Sequence, residues 1–225
     1  MSWKLTKKYD DVLANEEGYE KKIWGELLKV CLAYPNYYRT GMPNLGFQTV
    51  YSLINREKSF LCERVFLPDP DDEAAFVSSS IPLFSLESQK ALTEFDIVAF
   101  SIPFENDYPV ILKMLSMAGI TLSACERKET EPLIIGGGVS VTLNPEPLAD
   151  FFDLFLLGEA EELLPEFLHA FENSCRLGHN RNELLFRTQR DVVGAYVPKY
   201  YRVYYRADHL IEDMRPIAAS LPVKI

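Results

Sequence analysis

Five short apolar runs recur along the chain, each about a strand long and separated from the next by a connection long enough for a helix. They are LLKVCLA (27–33), CERVFLP (62–68), FDIVAFS (95–101), PLII (132–135) and DLFLLG (153–158). None of them keeps a strict apolar–polar alternation. A strand that lacks it is covered on both faces, the condition of a parallel sheet flanked by helices.

Several connections carry helical periodicity. In NLGFQTVYSLIN, Phe47, Val50, Tyr51 and Ile54 recur at i, i+3, i+4 and i+7 behind a capping Asn44. In ENDYPVILKMLSMAG, Tyr108, Ile111, Leu112 and Leu115 share a face, with Asp107 placed to cap, Pro109 in the first turn and Gly119 at the exit. In EAEELLPEFLHAF, Leu164, Phe167, Leu168 and Phe171 share a face, and Pro165 predicts a late helix start or a kink. The acidic stretch DPDDE is expected to be a solvated connector.

The expected fold is therefore α/β: a doubly wound, flavodoxin-like (Rossmann-like) five-stranded parallel sheet with helices on both faces, spanning 27–190. Residues 1–26 are expected to form an N-terminal arm feeding the first strand. From 191 to 225 the pattern changes, and VVGAYVPKYYRVYYRADHLIEDMRPI alternates around a turn at Ala207 to His209. This predicts a C-terminal β-hairpin leaving the domain. At 225 residues and 48% hydrophobic composition, the chain has enough material for one such core.

Charge and run length exclude several functions. A net charge of −10 with scattered Lys and Arg argues against a nucleic-acid surface. The apolar runs stop well short of the ~20 residues that span a bilayer, and the N-terminus MSWKLTKKYDD has no apolar stretch behind its basic residues, so a cytoplasmic location is expected. Cys31, Cys62, Cys125 and Cys175 lie too far apart for a C-x-x-C or C-x-x-x-C metal loop and are expected to be ordinary thiols.

In an open parallel sheet the ligand lies beyond the carboxyl ends of the strands. The unusual loops collect there: YPNYYRTGMPNLG after the first strand, SIPFEND after the third, GGGVSVTLNPEP after the fourth and GEAEE after the fifth. Three successive glycines permit positive φ and bring bare backbone close to a ligand. G-x-G-x-x-G fails, because Val141 stands where the third glycine belongs, and the G-K-S/T of a phosphate loop is absent. Glu161 and Glu162 fit a helix N-terminus, while Glu159, directly after the strand, is less easily assigned to the helix alone. His169, His179 and His209 are remote in sequence from all four loops, and no nucleophile or acid–base pair converges.

Taken in order, LAYPNYYRTGMPNLGFQTVYSLIN, CERVFLP, FDIVAFSIPFENDY and IIGGGVSVTLNPEPLADFFDLFLLGEAEELLPE resemble the N-terminal region of cobalamin-binding-type radical SAM proteins, often labelled Fe-S oxidoreductases. The resemblance covers about 17–215. It implies a cobalamin-binding Rossmann-like domain that serves a partial barrel, in cis or in trans, whose C-x-x-x-C-x-x-C loop holds a 4Fe-4S cluster and cleaves S-adenosylmethionine. That loop does not occur in these 225 residues, which casts the chain as the leading domain of a longer enzyme or as a separately encoded one.

Carried over by position, Gly136, Gly137 and Gly138, with Val139 and Asn144 beyond them, would accommodate the nucleotide tail. Ser101, Pro103 and Glu105 belong to the loop after the third strand, and Gly158 and Glu159 to the loop after the fifth. Tyr34 to Gly41, with Pro35 and Asn36 between them, would face the corrin, and Asn44 is a further cofactor-binding candidate of the same loop. The D-x-H-x-x-G pattern that supplies a cobalt-ligating histidine is missing, so the resemblance implies cobalamin held without a histidine from the loop after the first strand. The other reading is a degenerate cobalamin-type fold without cofactor that docks the radical SAM domain or a protein partner, for which an exposed patch of Tyr196, Tyr200, Tyr201, Tyr204 and Tyr205 would speak.

Overall fold

A computed structural model describes residues 3–223. The strands are β1 (Leu28–Tyr37), β2 (Phe60–Leu67), β3 (Ile97–Ser101), β4 (Leu133–Gly137), β5 (Leu154–Leu156), β6 (Ala195–Tyr196), β7 (Tyr201–Tyr205) and β8 (Ile211–Pro216). The helices are α1 (Trp3–Ala14), α2 (Tyr38–Gly41), α3 (Leu45–Arg56), α4 (Pro70–Ser79), α5 (Tyr108–Met117), α6 (Val139–Leu143), α7 (Ala160–Arg176) and α8 (Arg181–Asp191). The main sheet has the order β2-β1-β3-β4-β5-β6, with β1 to β5 parallel and β6 antiparallel to β5. The five expected parallel strands and the doubly wound α/β architecture are all present.

Alternate residues of each strand feed two separate cores. Val30, Leu32, Ile97, Ala99, Ile135, Leu154 and Leu156 pack toward α3 and α7. Cys31, Ala33, Val98, Phe100, Ile134 and Phe155 pack toward α4 and α5. The expected α7 face is buried in full, through Leu164, Phe167, Leu168 and Phe171. Asn44 caps α3 as expected, accepting from the Phe47 N–H at 2.9 Å.

Several expectations are revised. DPDDE is not a connector: Pro70 opens α4, and Asp71, Asp72 and Glu73 fill its first turn, where they complement the helix dipole. Asp107 does not cap α5, since its backbone is already helical and its side chain makes no cap bond. Pro165 neither delays nor ends α7, which starts at Ala160. Proline that early in a helix forfeits a single backbone bond, and the buried face outweighs the loss.

The arm also has structure of its own, for α1 buries Leu5 and Leu13. The sheet runs past residue 190, because β6 adds to it before the hairpin begins. The hairpin itself is β7–β8, closed by the Arg206 N–H donating to the Leu210 carbonyl around His209, whose φ is +64°. Tyr204 and Tyr205 of the hairpin are exposed, whereas Tyr201 at its start and Tyr196 in β6 are buried, so the five tyrosines do not form one surface patch.

β2 lies at one side of the sheet, and its outward backbone groups are all occupied between Phe60 and Arg64. Lys22 Nζ donates to the Phe60 carbonyl at 2.6 Å, and the Asn55 carboxamide both accepts from the Cys62 N–H and donates to its carbonyl, at 3.0 and 3.1 Å. The Arg64 N–H donates to Glu87 Oε2 at 2.7 Å, and the Arg64 carbonyl accepts from the Leu86 N–H at 2.7 Å. The Arg64 side chain, buried over the Tyr51 ring, pairs with Glu87 at 2.6 Å and with Glu16 at 2.7 Å, which ties the N-terminal arm to this side of the domain.

Candidate functional site

A cleft of about 460 Å³ opens on the α3/α7 face toward the carboxyl ends of the strands. That size lies within the usual range for small-molecule sites. Its floor is apolar, made by Val30, Leu32, Ile97, Ala99, Ile135 and Leu156, and its walls are α3 on one side and α7 on the other. Polar groups gather toward the rim: Thr49 on α3, Ser101 at the end of β3, Thr142 on α6, and Glu159 and Glu161 at the start of α7. None of the described lining residues is Lys, Arg or His.

The three glycines after β4 have three different reasons to be glycine. Gly136 faces the α4/α5 side, where an added Cβ would stand 2.9–3.0 Å from the rings of Phe155 and Phe152. Gly138 has φ +117°, and a Cβ there would meet the Ile102 carbonyl oxygen at 2.6 Å. Both are required by the protein's own packing and backbone. Gly137 shares the face of Leu133 and Ile135, and a Cβ there would find only the Leu156 carbonyl oxygen, at an ordinary 3.6 Å. Nothing in the fold excludes a side chain at this position. Its absence leaves room inside the cleft.

Residues 46–198 match the family described as radical SAM proteins, N-terminal. This chain belongs to that family. An uncharacterized protein of Methanocaldococcus jannaschii is 21% identical over 132 residues, covering 59% of this chain and 24% of the relative. The chain thus spans about a quarter of the length of the curated relative it matches. No solved structure matches.

Within this radical SAM N-terminal domain, the residues expected from sequence divide into two groups. Ser101, Gly136, Gly137, Gly138, Val139, Gly158 and Glu159 line the cleft. Tyr34, Pro35, Asn36, Gly41, Asn44, Pro103, Glu105 and Asn144 do not. Instead of forming a loop, Tyr34 to Tyr37 continue β1, with an irregular register against β2 where Pro35 cannot donate. Tyr34 is buried edge-on against Phe47, with ring centroids 5.4 Å apart, and Gly41 is held close under the rings of Phe66 and Tyr34. Asn44 is engaged in capping α3, while Glu105 and Asn144 are exposed.

Beside these residues Asp107 is buried, and its Oδ2 makes no hydrogen bond among the described residues. Burial raises its pKa, partly offset by the Asn36 side chain. Glu146, from the NPEP stretch, accepts from the buried Tyr196 hydroxyl and so joins the glycine-rich connection to β6.

Sequence reasoning missed Thr49, Thr142 and Leu143 as lining residues. Thr49 falls beside the stripe read for α3, and a five-residue α6 is too short to show a period. Of the histidines, His169 and His209 are exposed and none lines the cleft. Cys31 and Cys62 are buried, with their thiols pushed up by burial, on opposite faces of the sheet. Among the described residues no three His, Cys, Asp or Glu side chains gather as a metal site, and no helix is long and apolar enough to cross a membrane.

Proposed function

We propose that this domain holds a cobalamin for a radical SAM enzyme, with the nucleotide tail seated in the cleft between α3 and α7. Gly137 carries the reading: it is the one glycine of the three that packing does not require, and it keeps the cleft open at the end of β4. The tail is an aromatic base on a ribose, and an apolar slot with hydroxyls and a carboxylate at its rim suits that chemistry. Gly137 and Gly138 would offer backbone, Thr49, Ser101 and Thr142 hydroxyls, and the floor would cover the base. The bound cofactor would supply alkyl-transfer or electron-transfer chemistry at cobalt, with no histidine of the cleft to ligate it. The 4Fe-4S cluster and S-adenosylmethionine belong, in this reading, to the radical SAM domain.

The test is to mix the chain with hydroxocobalamin, desalt it and record the visible spectrum. Wild-type protein is expected to emerge coloured and Gly137→Leu colourless, with both folded by circular dichroism. Colourless wild-type protein, with no heat of binding in a titration, would overturn the cobalamin reading.

One observation favours docking as a second role. Leu45, Phe104, Val139 and Leu143, which lie at the strand carboxyl ends, are 78%, 61%, 59% and 75% exposed. Exposed apolar side chains of this kind around the cleft suit a protein surface closing over it, and the radical SAM domain is the partner the family provides. Co-purification of this chain with a separately expressed radical SAM domain, weakened by Phe104→Asp and Leu143→Asp together, checks it.

A further inference from the structure

We infer that α6 is a lid over the cleft, raised in this structure, that rocks down when a ligand enters. The inference concerns whatever the cleft holds and goes beyond the cobalamin reading.

α6 has only five residues, too few for a helix to hold itself together, so its place depends on what anchors it. Its two sides are anchored very differently. Val141 is buried in the core on the α4/α5 side, whereas Val139 and Leu143, which line the cleft, are largely exposed. An apolar side chain on the wall of an apolar cleft gains burial when the cleft fills and the wall closes on the occupant. Leu45 and Phe104 lie outside the lid and remain available to a partner.

The polar contacts beneath α6 are incomplete in this position. The Ser140 N–H reaches the Ile102 carbonyl at 3.4 Å, and the Tyr108 hydroxyl reaches the Asn144 carbonyl at 3.5 Å, both long for hydrogen bonds. Ser140 Oγ is buried without a partner among the described residues, and so is Asp107 Oδ2, at the end of the neighbouring connection from β3. Buried polar atoms are nearly always paired. Two orphans in adjoining connections mark a second arrangement in which they are satisfied.

The ends of α6 supply the freedom to reach it. Gly138, just ahead, has φ +117°, and Asn144, just behind, is extended. Beyond Asn144 the chain is fastened again, by the bond between Glu146 and Tyr196. α6 thus pivots about Val141 between a glycine hinge and a fixed post, and closure carries Val139 and Leu143 over the room that Gly137 leaves.

The experiment follows hydrogen–deuterium exchange by mass spectrometry in the free chain, with hydroxocobalamin, and with Nile red, a neutral apolar dye. In the free chain the α6 amides are expected to exchange at least about tenfold faster than those of α7 around Phe167, and to slow about tenfold with either probe, while α4 is unchanged. Replacing Val139 and Leu143 together by Ser should release the bound probe about tenfold faster, with the fold intact by circular dichroism. A free α6 as protected as α7, an α6 unchanged by a bound probe, an unaltered release rate in the double variant, or no binding of either probe would each overturn the inference. Should Nile red slow α6 while hydroxocobalamin is not retained, the lid stands and the cobalamin reading falls. Should hydroxocobalamin be retained with α6 unchanged, the outcome is reversed.

Discussion

On the α4/α5 side of the sheet, the space beside the ends of β4 and β5 is filled by aromatic rings. Phe152 stacks on Phe155 with centroids 4.9 Å apart, Phe155 on Tyr196 at 6.2 Å, and Phe100 meets Phe152 edge-on at 5.8 Å. On the α3/α7 side the neighbouring positions are Ala99, Gly137 and Leu156, and a cleft stands there instead. The same strands supply both faces, so strand geometry does not explain the difference. Side-chain choice does: one face is packed for stability, and the other trades apolar contact for volume.

Four substitutions sharpen or break this contrast. Phe152→Ala on the packed face should cost about 3–5 kcal/mol, and a melting curve should fall by roughly 10 °C. Gly138→Ala should cost about 2–4 kcal/mol, because the left-handed backbone and the Ile102 carbonyl both oppose a Cβ. Gly136→Ala should cost about 1–3 kcal/mol by overpacking against Phe152 and Phe155. Gly137→Ala should change stability by less than about 0.5 kcal/mol in urea denaturation, while weakening retention of hydroxocobalamin. If Gly137→Ala proved as destabilising as its neighbours, the three glycines would share one structural cause and the contrast between faces would lose its functional meaning.

The strands were legible because parallel strands covered on both faces need unbroken apolar runs, and LLKVCLA or FDIVAFS permit little else. α3 and α7 were legible from their stripes. α4 was hidden because its acidic first turn looks like a solvated loop, although Pro70 at its start is itself a helix signal. β6 was misplaced because Ala195 and Tyr196 fall within the alternation read as part of the hairpin, and the pairing that puts them in the main sheet comes from β5.

The site was legible in part. Position at the strand ends drew attention to Ser101, Gly136 to Gly138 and Glu159, but sequence could not divide the glycines. Gly136 answers to Phe155, nineteen positions away, and Gly138 to Ile102, thirty-six away. Tyr34 and Gly41 looked like loop residues, whereas Phe47 and Phe66 draw them into the core.

The occupied side of β2 has a consequence for how the domain behaves in concentrated solution. An uncovered strand invites another chain to add to it and so begins aggregation. Between Phe60 and Arg64 that route is closed, because Lys22, Asn55, Glu57, Leu86 and Glu87 already hold every outward backbone group. At the far side of the sheet β6 offers only two residues to a newcomer. The ribbon β7–β8, which has no further strand beside it among the described residues, is then where intermolecular β-pairing would start, and charged residues such as Arg202, Asp213 and Arg215 stand guard along it.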